Sequence, residues 1–367
     1  MPLRLLFAGV NAGIASELEQ ALGARIEVRV VAGIEEAIAA LAIRGADAVL
    51  VQPRLAEGSG NALLGLLKRE HPRIIRCLLL DDGRDAPGLA ALENLHRLLY
   101  QPLDAGKLLE GLEAVLALRR RLAAPGLAEA IGRVGRLPPP PALSLELMRR
   151  TDDPEVSARE VAVLVERDPT LAAKVLRLCN SAMYSGGRRI DDIHSAVVWL
   201  GNLTLRRLVL AGEVFGAAQA RGALPGQDRL REQSLFASRL AAKLLPGPRA
   251  DLAATAALLA GVGRLLPEVR TPWAEREGES LSWPSYTDAG AYLLGLWGLP
   301  ESLVEAAGLH ATPALAAEPG LGLVGACHVA WALAGDVPLD AAWVEAQGLA
   351  AERATWEALA TGLRDAG

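Results

Sequence analysis

Short apolar runs alternate with amphipathic stretches through the first 121 residues, and this alternation stops afterwards. Five runs have the length and composition of buried strands, at residues 3–8, 28–31, 48–51, 74–80 and 98–100. Between them, apolar residues recur at helical spacing, as in the series Ile14, Leu18 and Leu22. Strands that alternate with helices predict a parallel sheet that is covered by helices on both faces.

The remainder of the chain has the periodicity of helices only. Ser157 and Glu160 form a capping-box sequence in front of an apolar helical face. Asp168, followed by Pro169, supplies a helix cap and a proline at the first helical position. We therefore predict a multi-domain protein, with an α/β domain of flavodoxin-like strand order followed by an all-α domain.

The charge and cysteine content narrow the class of protein. The net charge is −5, and acidic and basic residues balance within residues 1–121, which argues against a nucleic-acid-binding surface. Cys77, Cys179 and Cys327 lie far apart in apolar runs, as buried thiols of a cytoplasmic protein do. The apolar runs are too short for a signal peptide or a transmembrane helix. We expect neither nucleic-acid nor membrane partners.

Residues 1–121 carry further features that are typical of one family. Phe7 lies in the first predicted strand, Asp47 precedes the third, His71-Pro72 precedes the fourth and Tyr100-Gln101-Pro102 follows the fifth. In these features the segment resembles the receiver domain of response regulators. The resemblance implies a phosphorylation site at the carboxyl ends of the strands, where an aspartate accepts the phosphoryl group beside bound Mg²⁺.

The reactive groups of a receiver are missing at the matching positions. By this resemblance, the acidic pair that holds Mg²⁺ maps to Gly9 and Val10, and the phosphoacceptor aspartate maps to Gln52. The usual hydroxyl maps to Leu80 and the usual lysine to Gln101. An amide cannot form an acyl phosphate, and Mg²⁺ requires oxygen ligands that are usually carboxylates. We predict a pseudo-receiver over residues 1–121, used for docking or dimerisation.

Residues 122–141 are predicted to be a linker. Three arginines, at positions 119–121, complement the negative end of the preceding helix, and Pro125-Gly126 stops it. Four prolines at positions 138–141 form a stiff entry segment.

The helical part resembles the HDOD domain, a relative of HD phosphohydrolases, over about residues 127–333. We predict the domain at residues 142–335, with a helical extension at 336–367. The motifs that carry the resemblance are Leu137-Pro138-Pro139, Arg167-Asp168-Pro169-Thr170-Leu171, Leu178-Cys179-Asn180-Ser181-Ala182, residues 196–201 and Leu296-Trp297-Gly298-Leu299-Pro300.

The metal ligands of an HD enzyme are also missing. Such a site requires a histidine, a His-Asp pair and a distant aspartate, which bind metals that activate water. The first histidine maps to Gln233, and the His-Asp pair maps to Ala260 and Gly261. No catalytic residue, metal or cofactor is therefore expected. His310 and His328 are interpreted as structural, because a metal role would require carboxylates that converge on them.

Other polar and aromatic residues allow two interpretations. Asn180 is predicted to cap a helix in a left-handed conformation, with ligand contact as the alternative. Trp273 and Trp283 lie in a polar stretch between helices, where they are either partner contacts or packed on the core. The sequence does not decide the role of that stretch.

These features lead to three hypotheses about function. The first is a non-catalytic bacterial signal-transduction adaptor that binds other signalling proteins, with itself as a further candidate partner in a homodimer. The second is an HD-type, metal-dependent phosphohydrolase. The third is a nucleotide-binding sensor, in which the Ala260-Gly261 replacement leaves a cavity.

Overall fold

The computed structural model describes residues 2–10, 12–81, 94–122, 126–134, 147, 150, 156–183, 190–210, 227–266, 269, 286–335 and 337–365. The chain divides into two compact units. The first consists mainly of Met1–Arg136, and the second, called here the helical unit, consists mainly of residues 137–367.

The first unit contains a five-stranded parallel sheet with the order β2-β1-β3-β4-β5. Its strands are β1 (Leu3–Ala8), β2 (Ile26–Val31), β3 (Ala48–Val51), β4 (Ile75–Leu80) and β5 (Arg97–Tyr100). All residues of β3, β4 and β5 are buried, whereas β2 lies at an edge and exposes Glu27 and Arg29. The predicted flavodoxin-like α/β fold is confirmed, and the observed strands begin within two residues of the predicted ones.

Five described helices belong to the first unit: α1 (Ala12–Leu22), α2 (Ile34–Arg44), α3 (Gly60–Glu70), α4 (Ala105–Arg121) and α5 (Leu127–Gly132). Ser59 and Asp104 cap α3 and α4 by accepting backbone N–H bonds. The core of the unit is formed where apolar residues of α2 and α3, among them Leu41, Leu63 and Leu67, pack with the sheet. This packing fixes the carboxyl ends of the strands, where a receiver would carry its site.

Helix α5 lies inside the predicted linker and is held by Arg76 of β4. The Arg76 side chain is buried in the sheet, and its guanidinium donates to the carbonyl oxygens of Gly132 and Asn94, each at 2.6 Å. The Arg76 backbone N–H donates to Nδ1 of His96, which leaves Nε2 of that ring to donate to Gly132 at 3.2 Å. The first unit thus extends beyond the helix that ends at Arg121.

The helical unit contains only helices and short turns in its described part, and the predicted all-α class is confirmed. The helices are α6 (Ala158–Val165), α7 (Pro169–Met183), α8 (Ile193–Leu210), α9 (Gln227–Leu244), α10 (Ala250–Ala260), α11 (Tyr286–Leu296), α12 (Glu301–Leu309), α13 (Gly322–Leu333), α14 (Ala341–Ala346) and α15 (Arg353–Asp365). Ser157 and Glu160 form the predicted capping box of α6. Asp168 caps α7 by accepting from the N–H groups of Thr170 and Leu171.

The predicted helix end at Asn180 is wrong. Helix α7 continues to Met183, and among the described residues no residue other than glycine has a positive φ. The cost of an asparagine inside a helix is below about 1 kcal/mol. The side chain of Asn180 is buried, and this burial outweighs its preference for a helix end. A real break occurs at Gly201 in α8, where φ is 70°.

The three cysteines are free and buried, as predicted. Burial raises the pKa of Cys77 to about 11 and that of Cys327 to about 12, and it raises the pKa of Cys179 as well. None of the three is a reactive thiolate at neutral pH. Among the described helices, none has the length and apolar character that crossing a membrane requires.

Candidate functional sites

The receiver-type positions meet at the carboxyl edge of the parallel sheet. Gly9 follows β1, Gln52 follows β3, Leu80 ends β4 and Gln101 follows β5, and these four strands are consecutive neighbours in the sheet. Val10 lies beside Gly9 and is exposed. The topology therefore places all the strand ends of a phosphorylation site together, but with amide, apolar and glycine residues in them.

Gln52 fills the space that an acidic side chain would need at position 9. Its backbone N–H donates to the carbonyl of Ala8 at 2.9 Å, and its side chain is buried. A Cβ at Gly9 would lie 2.2 Å from Oε1 and 2.8 Å from Cγ of Gln52. These distances are far below van der Waals contact. The Gln52 side chain can lie here only because position 9 is a glycine. An aspartate at position 9 would require Gln52 to move.

The remaining groups at this edge are engaged with one another. Nε2 of Gln101 donates to Oδ1 of Asp81 at 3.0 Å, and the Gln101–Pro102 peptide bond is cis. Leu80 is buried and offers no hydroxyl. Asp82, the other loop aspartate, lies outside the described residues. Asp81 thus lies against an amide rather than the lysine of a working receiver.

The positions of the HD-type His-Asp pair lie at the end of α10, where Trp331 of α13 occupies the space. Ala260 and Gly261 are fully buried or nearly so. A Cβ at Gly261 would lie 2.5 Å from Cη2 of Trp331 and 3.1 Å from Cδ1 of Leu230. The indole Nε1 of Trp331 donates to the carbonyl of Ala257 at 2.8 Å, which fixes the ring. The position to which the resemblance assigns the His-Asp pair is therefore filled by an aromatic side chain.

Gln233 of α9, at the first histidine position, is half-buried. Its Nε2 donates to the carbonyl of Ala334 at 3.4 Å, just beyond the end of α13. This bond satisfies one carbonyl that the helix end leaves without an intrahelical partner. The residue has a structural contact where an enzyme would have a ligand.

His310 and His328 are buried, and hydrogen bonds occupy all four of their ring nitrogens. Nδ1 of His310 faces the carbonyl of Ala307 at 3.1 Å, and Nε2 faces the hydroxyl of Tyr286 at 2.9 Å. Nδ1 of His328 faces the carbonyl of His310 at 2.8 Å, and Nε2 accepts from the N–H of Asp340. Because a carbonyl only accepts, each Nδ1 carries the proton. Nε2 of His328 accepts from a backbone N–H, so the ring of His328 is neutral. Neither ring presents a free lone pair to a metal.

Burial also holds these rings neutral. It lowers the pKa of His310 to about 4, and nearby Arg264, whose guanidinium stacks 4.1 Å from the centre of the Tyr286 ring, acts in the same direction. Burial lowers the pKa of His328 as well. The interpretation of these histidines as structural agrees with this geometry.

Sequence reasoning missed the role of one aromatic residue. The contact of Trp331 with Gly261 has no local sequence signal, because Trp331 lies on α13 and Gly261 follows α10. The stretch that contains Trp273 and Trp283 lies outside the described residues, as do the prolines at 138–141.

Parts of this chain are similar to known proteins in sequence and in structure. An uncharacterized protein of Treponema pallidum (strain Nichols) is 24% identical over 203 residues, which are 50% of this chain and 39% of the relative's length. The chain thus spans well under half of that relative. Two crystal structures are also similar.

The first of these is the MmoQ response regulator from Methylococcus capsulatus str. Bath, with 21% identity and a TM-score of 0.47. The match covers 61% of this chain and 98% of MmoQ. The second, from Shewanella amazonensis SB2B, is named as a phosphohydrolase and has 26% identity and a TM-score of 0.32, with 67% and 94% coverage. Neither similarity assigns an activity to this chain.

A family comparison matches the helical part directly. The matched residues are 137–313, and the matching family is described as the HDOD domain. The match begins after the first unit and includes α6 to α12 together with the Ala260-Gly261 pair. Residues 137–313 of the helical part thus match the HDOD domain, and they follow an amino-terminal flavodoxin-like α/β domain.

Proposed function

We propose that this chain is a non-catalytic signal-transduction adaptor, which acts by binding other signalling proteins rather than by chemistry. Its first unit is a pseudo-receiver that docks on a partner or on a second copy of the chain. Its HDOD domain presents a helical surface to another regulator. Such a protein transmits a signal when a partner binds one of its conformations more tightly than another.

One observation carries the proposal: side chains fill the space of both reactive centres. Gln52 occupies the space beside Gly9, and Trp331 occupies the space beside Gly261. Loss of a ligand by itself leaves a cavity that a substrate or a metal can still enter. Here the replacement residues and their neighbours are packed together, as expected of sites that serve the fold alone.

The phosphohydrolase hypothesis requires groups that these positions do not offer. Metal-assisted hydrolysis depends on imidazole and carboxylate ligands that leave an open coordination position for water. Gln233 bonds to a backbone carbonyl, and Ala260 and Gly261 have no ligand atoms in their side chains. The nucleotide-sensor hypothesis requires a cavity at the same place, and the indole of Trp331 lies in it.

Three measurements on the purified full-length protein test the proposal. The first is hydrolysis of phosphomonoesters, phosphodiesters and cyclic dinucleotides with Mg²⁺ or Mn²⁺. The second is the intact mass after incubation with acetyl phosphate and Mg²⁺, beside a phosphorylatable receiver as positive control. The third is the mass in solution, with and without candidate regulators of the same organism.

We expect no turnover, no phosphoryl adduct, and a complex with a regulator or a stable dimer. Turnover that stays at constant specific activity through successive purification steps contradicts the proposal.

A further inference from the structure

Three metal-ligating side chains of the HDOD domain converge at the beginning of two helices. Asp192 immediately precedes α8, His194 lies in its first turn and Asp251 lies in the first turn of α10. One ligand atom from each residue lies within 4.8 Å of the other two. Asp192 and His194 are half-buried and Asp251 is exposed, so an ion from solution can reach all three.

Backbone contacts hold this cluster in place. Oδ1 of Asp192 accepts from the N–H of Ser195 at 2.6 Å, which caps α8. The N–H of Ile193 donates to the hydroxyl of buried Thr255 at 3.3 Å, and this bond ties the start of α8 to α10. A carboxylate has about four acceptor sites, so the capping bond leaves Asp192 able to bind a further group. The ligand atoms therefore belong to a fixed frame and not to a mobile loop.

The electrostatics of the region favour a bound cation. Ligand atoms of Asp192 and Asp251 lie within 4.8 Å of each other. Two carboxylates at this distance repel each other, and a cation between them relieves the repulsion. The amino-terminal ends of α8 and α10 offset part of this charge, at about half an elementary charge each.

We propose that Asp192, His194 and Asp251 form a binding site for a divalent transition-metal ion of the Zn²⁺ type. An imidazole nitrogen with two carboxylate oxygens suits Zn²⁺, whereas Mg²⁺ and Ca²⁺ are bound through oxygen alone. Zn²⁺ lies about 2.0–2.2 Å from such ligands, so the three groups close slightly around the ion. Water completes the coordination on the exposed side.

This site is separate from the vestigial HD position. Asp251 and Ala260 lie at opposite ends of α10, and nine residues at about 1.5 Å each place them about 13 Å apart along the helix. An ion beside Asp251 cannot activate water at Gly261. The proposed metal site therefore does not depend on the proposed adaptor function, and each can be tested without the other. A bound metal ion would link α8 to α10.

The test is a titration of the chelator-treated full-length protein with ZnCl₂, followed by calorimetry, with MgCl₂ in parallel. The ligand variants are His194→Gln and Asp251→Asn, which leave the capping residue Asp192 intact. The matched controls are His71→Gln and Glu345→Gln, which remove one imidazole and one carboxylate elsewhere on the surface. Far-UV circular dichroism establishes that each variant is folded.

We expect one equivalent of Zn²⁺ to bind the wild-type protein and the controls in preference to Mg²⁺. Each ligand variant should weaken this binding by about tenfold or more. Selective broadening of the His194 ring signals by Mn²⁺ in NMR spectra locates the ion. Lack of saturable Zn²⁺ binding, or equal affinity in the wild type and both ligand variants, overturns the proposal.

Discussion

Gly261 lies against the indole of Trp331 so closely that a Cβ on the glycine would be 2.5 Å from Cη2 of the ring. The same relationship occurs in the other unit, where a Cβ on Gly9 would be 2.2 Å from Oε1 of Gln52. In both places a glycine stands at a position to which the family resemblance assigns an acidic ligand. A partner side chain has occupied the released space, so reactivation requires two changes rather than one.

The first prediction concerns overpacking at the vestigial HD position. Gly261→Ala should lower the free energy of unfolding by about 1–3 kcal/mol, because the added methyl group enters the space of a fixed indole. Trp331→Phe shortens the ring and should recover part of that loss in the double variant. Urea denaturation followed by circular dichroism measures all three variants.

The control for this series is Gly362→Ala, since a Cβ there meets no atom within 4 Å and the residue lies inside helix α15. This change should be neutral or stabilising by up to about 1 kcal/mol. Strictly additive effects of Gly261→Ala and Trp331→Phe would contradict the contact, because residues that touch show coupling.

The second prediction concerns the pseudo-receiver. Gly9→Asp should destabilise the first unit, since Gln52 must leave its buried position, and Gln52→Ala in the same chain should reduce the effect. The double variant removes Oε1, Cδ and Cγ, the three atoms that the new Cβ would meet. Thermal unfolding measures the difference. If Gly9→Asp is as stable as the wild type, the space beside β1 is not filled as described.

The sequence predicted those features that local patterns encode. The apolar strand runs predicted the parallel sheet, and the Ser157–Glu160 pair predicted the cap of α6. Both predictions were possible because each signal acts within a few residues. The prediction at Asn180 was wrong for the opposite reason, because the local preference of asparagine for a helix end is small compared with the effect of burying its side chain. Local chemistry is decisive only where packing does not oppose it.

Contacts between distant residues could not be predicted in this way. The pairing of Trp331 with Gly261 depends on how two helices cross, and no alignment of periodic positions shows it. Asp192 and His194 are two residues apart and visible as a pair, but Asp251 joins them only through the packing of α8 and α10. The degenerate positions were therefore assigned by resemblance, whereas their packing partners could be identified only from the structure.

The third prediction concerns Arg76, which ties α5 to the sheet. Arg76→Leu should cost about 3–5 kcal/mol, because the buried carbonyl of Gly132 and the partly buried carbonyl of Asn94 lose their charged donor. Arg73→Leu, a change at an exposed arginine nearby, should stay within about 0.5 kcal/mol of the wild type. Hydrogen exchange should show the earliest loss of protection at residues 127–134. Unchanged protection there would contradict the anchoring role.

The fourth prediction concerns the pH dependence that buried His310 imposes on the HDOD domain. Its pKa is lowered from 6.5 to about 4 in the folded state by burial. Above pH 6.5 the ring is neutral in both states and contributes no pH dependence. As the pH falls from 6.5 to about 4, the unfolded chain binds a proton that the folded protein excludes, so the folded state is progressively destabilised.

The loss amounts to about 3 kcal/mol over this interval. His328 acts in the same direction because its pKa is also lowered by burial. His310→Gln retains an acceptor for Tyr286 and a donor for Ala307, so the variant can stay folded without a titrating ring. Urea denaturation across the interval should show a smaller loss on acidification in the variant than in the wild type. Parallel curves for the two proteins would show that folding does not lower the pKa of His310, and the assignment of Nε2 as an acceptor for Tyr286 would then be wrong.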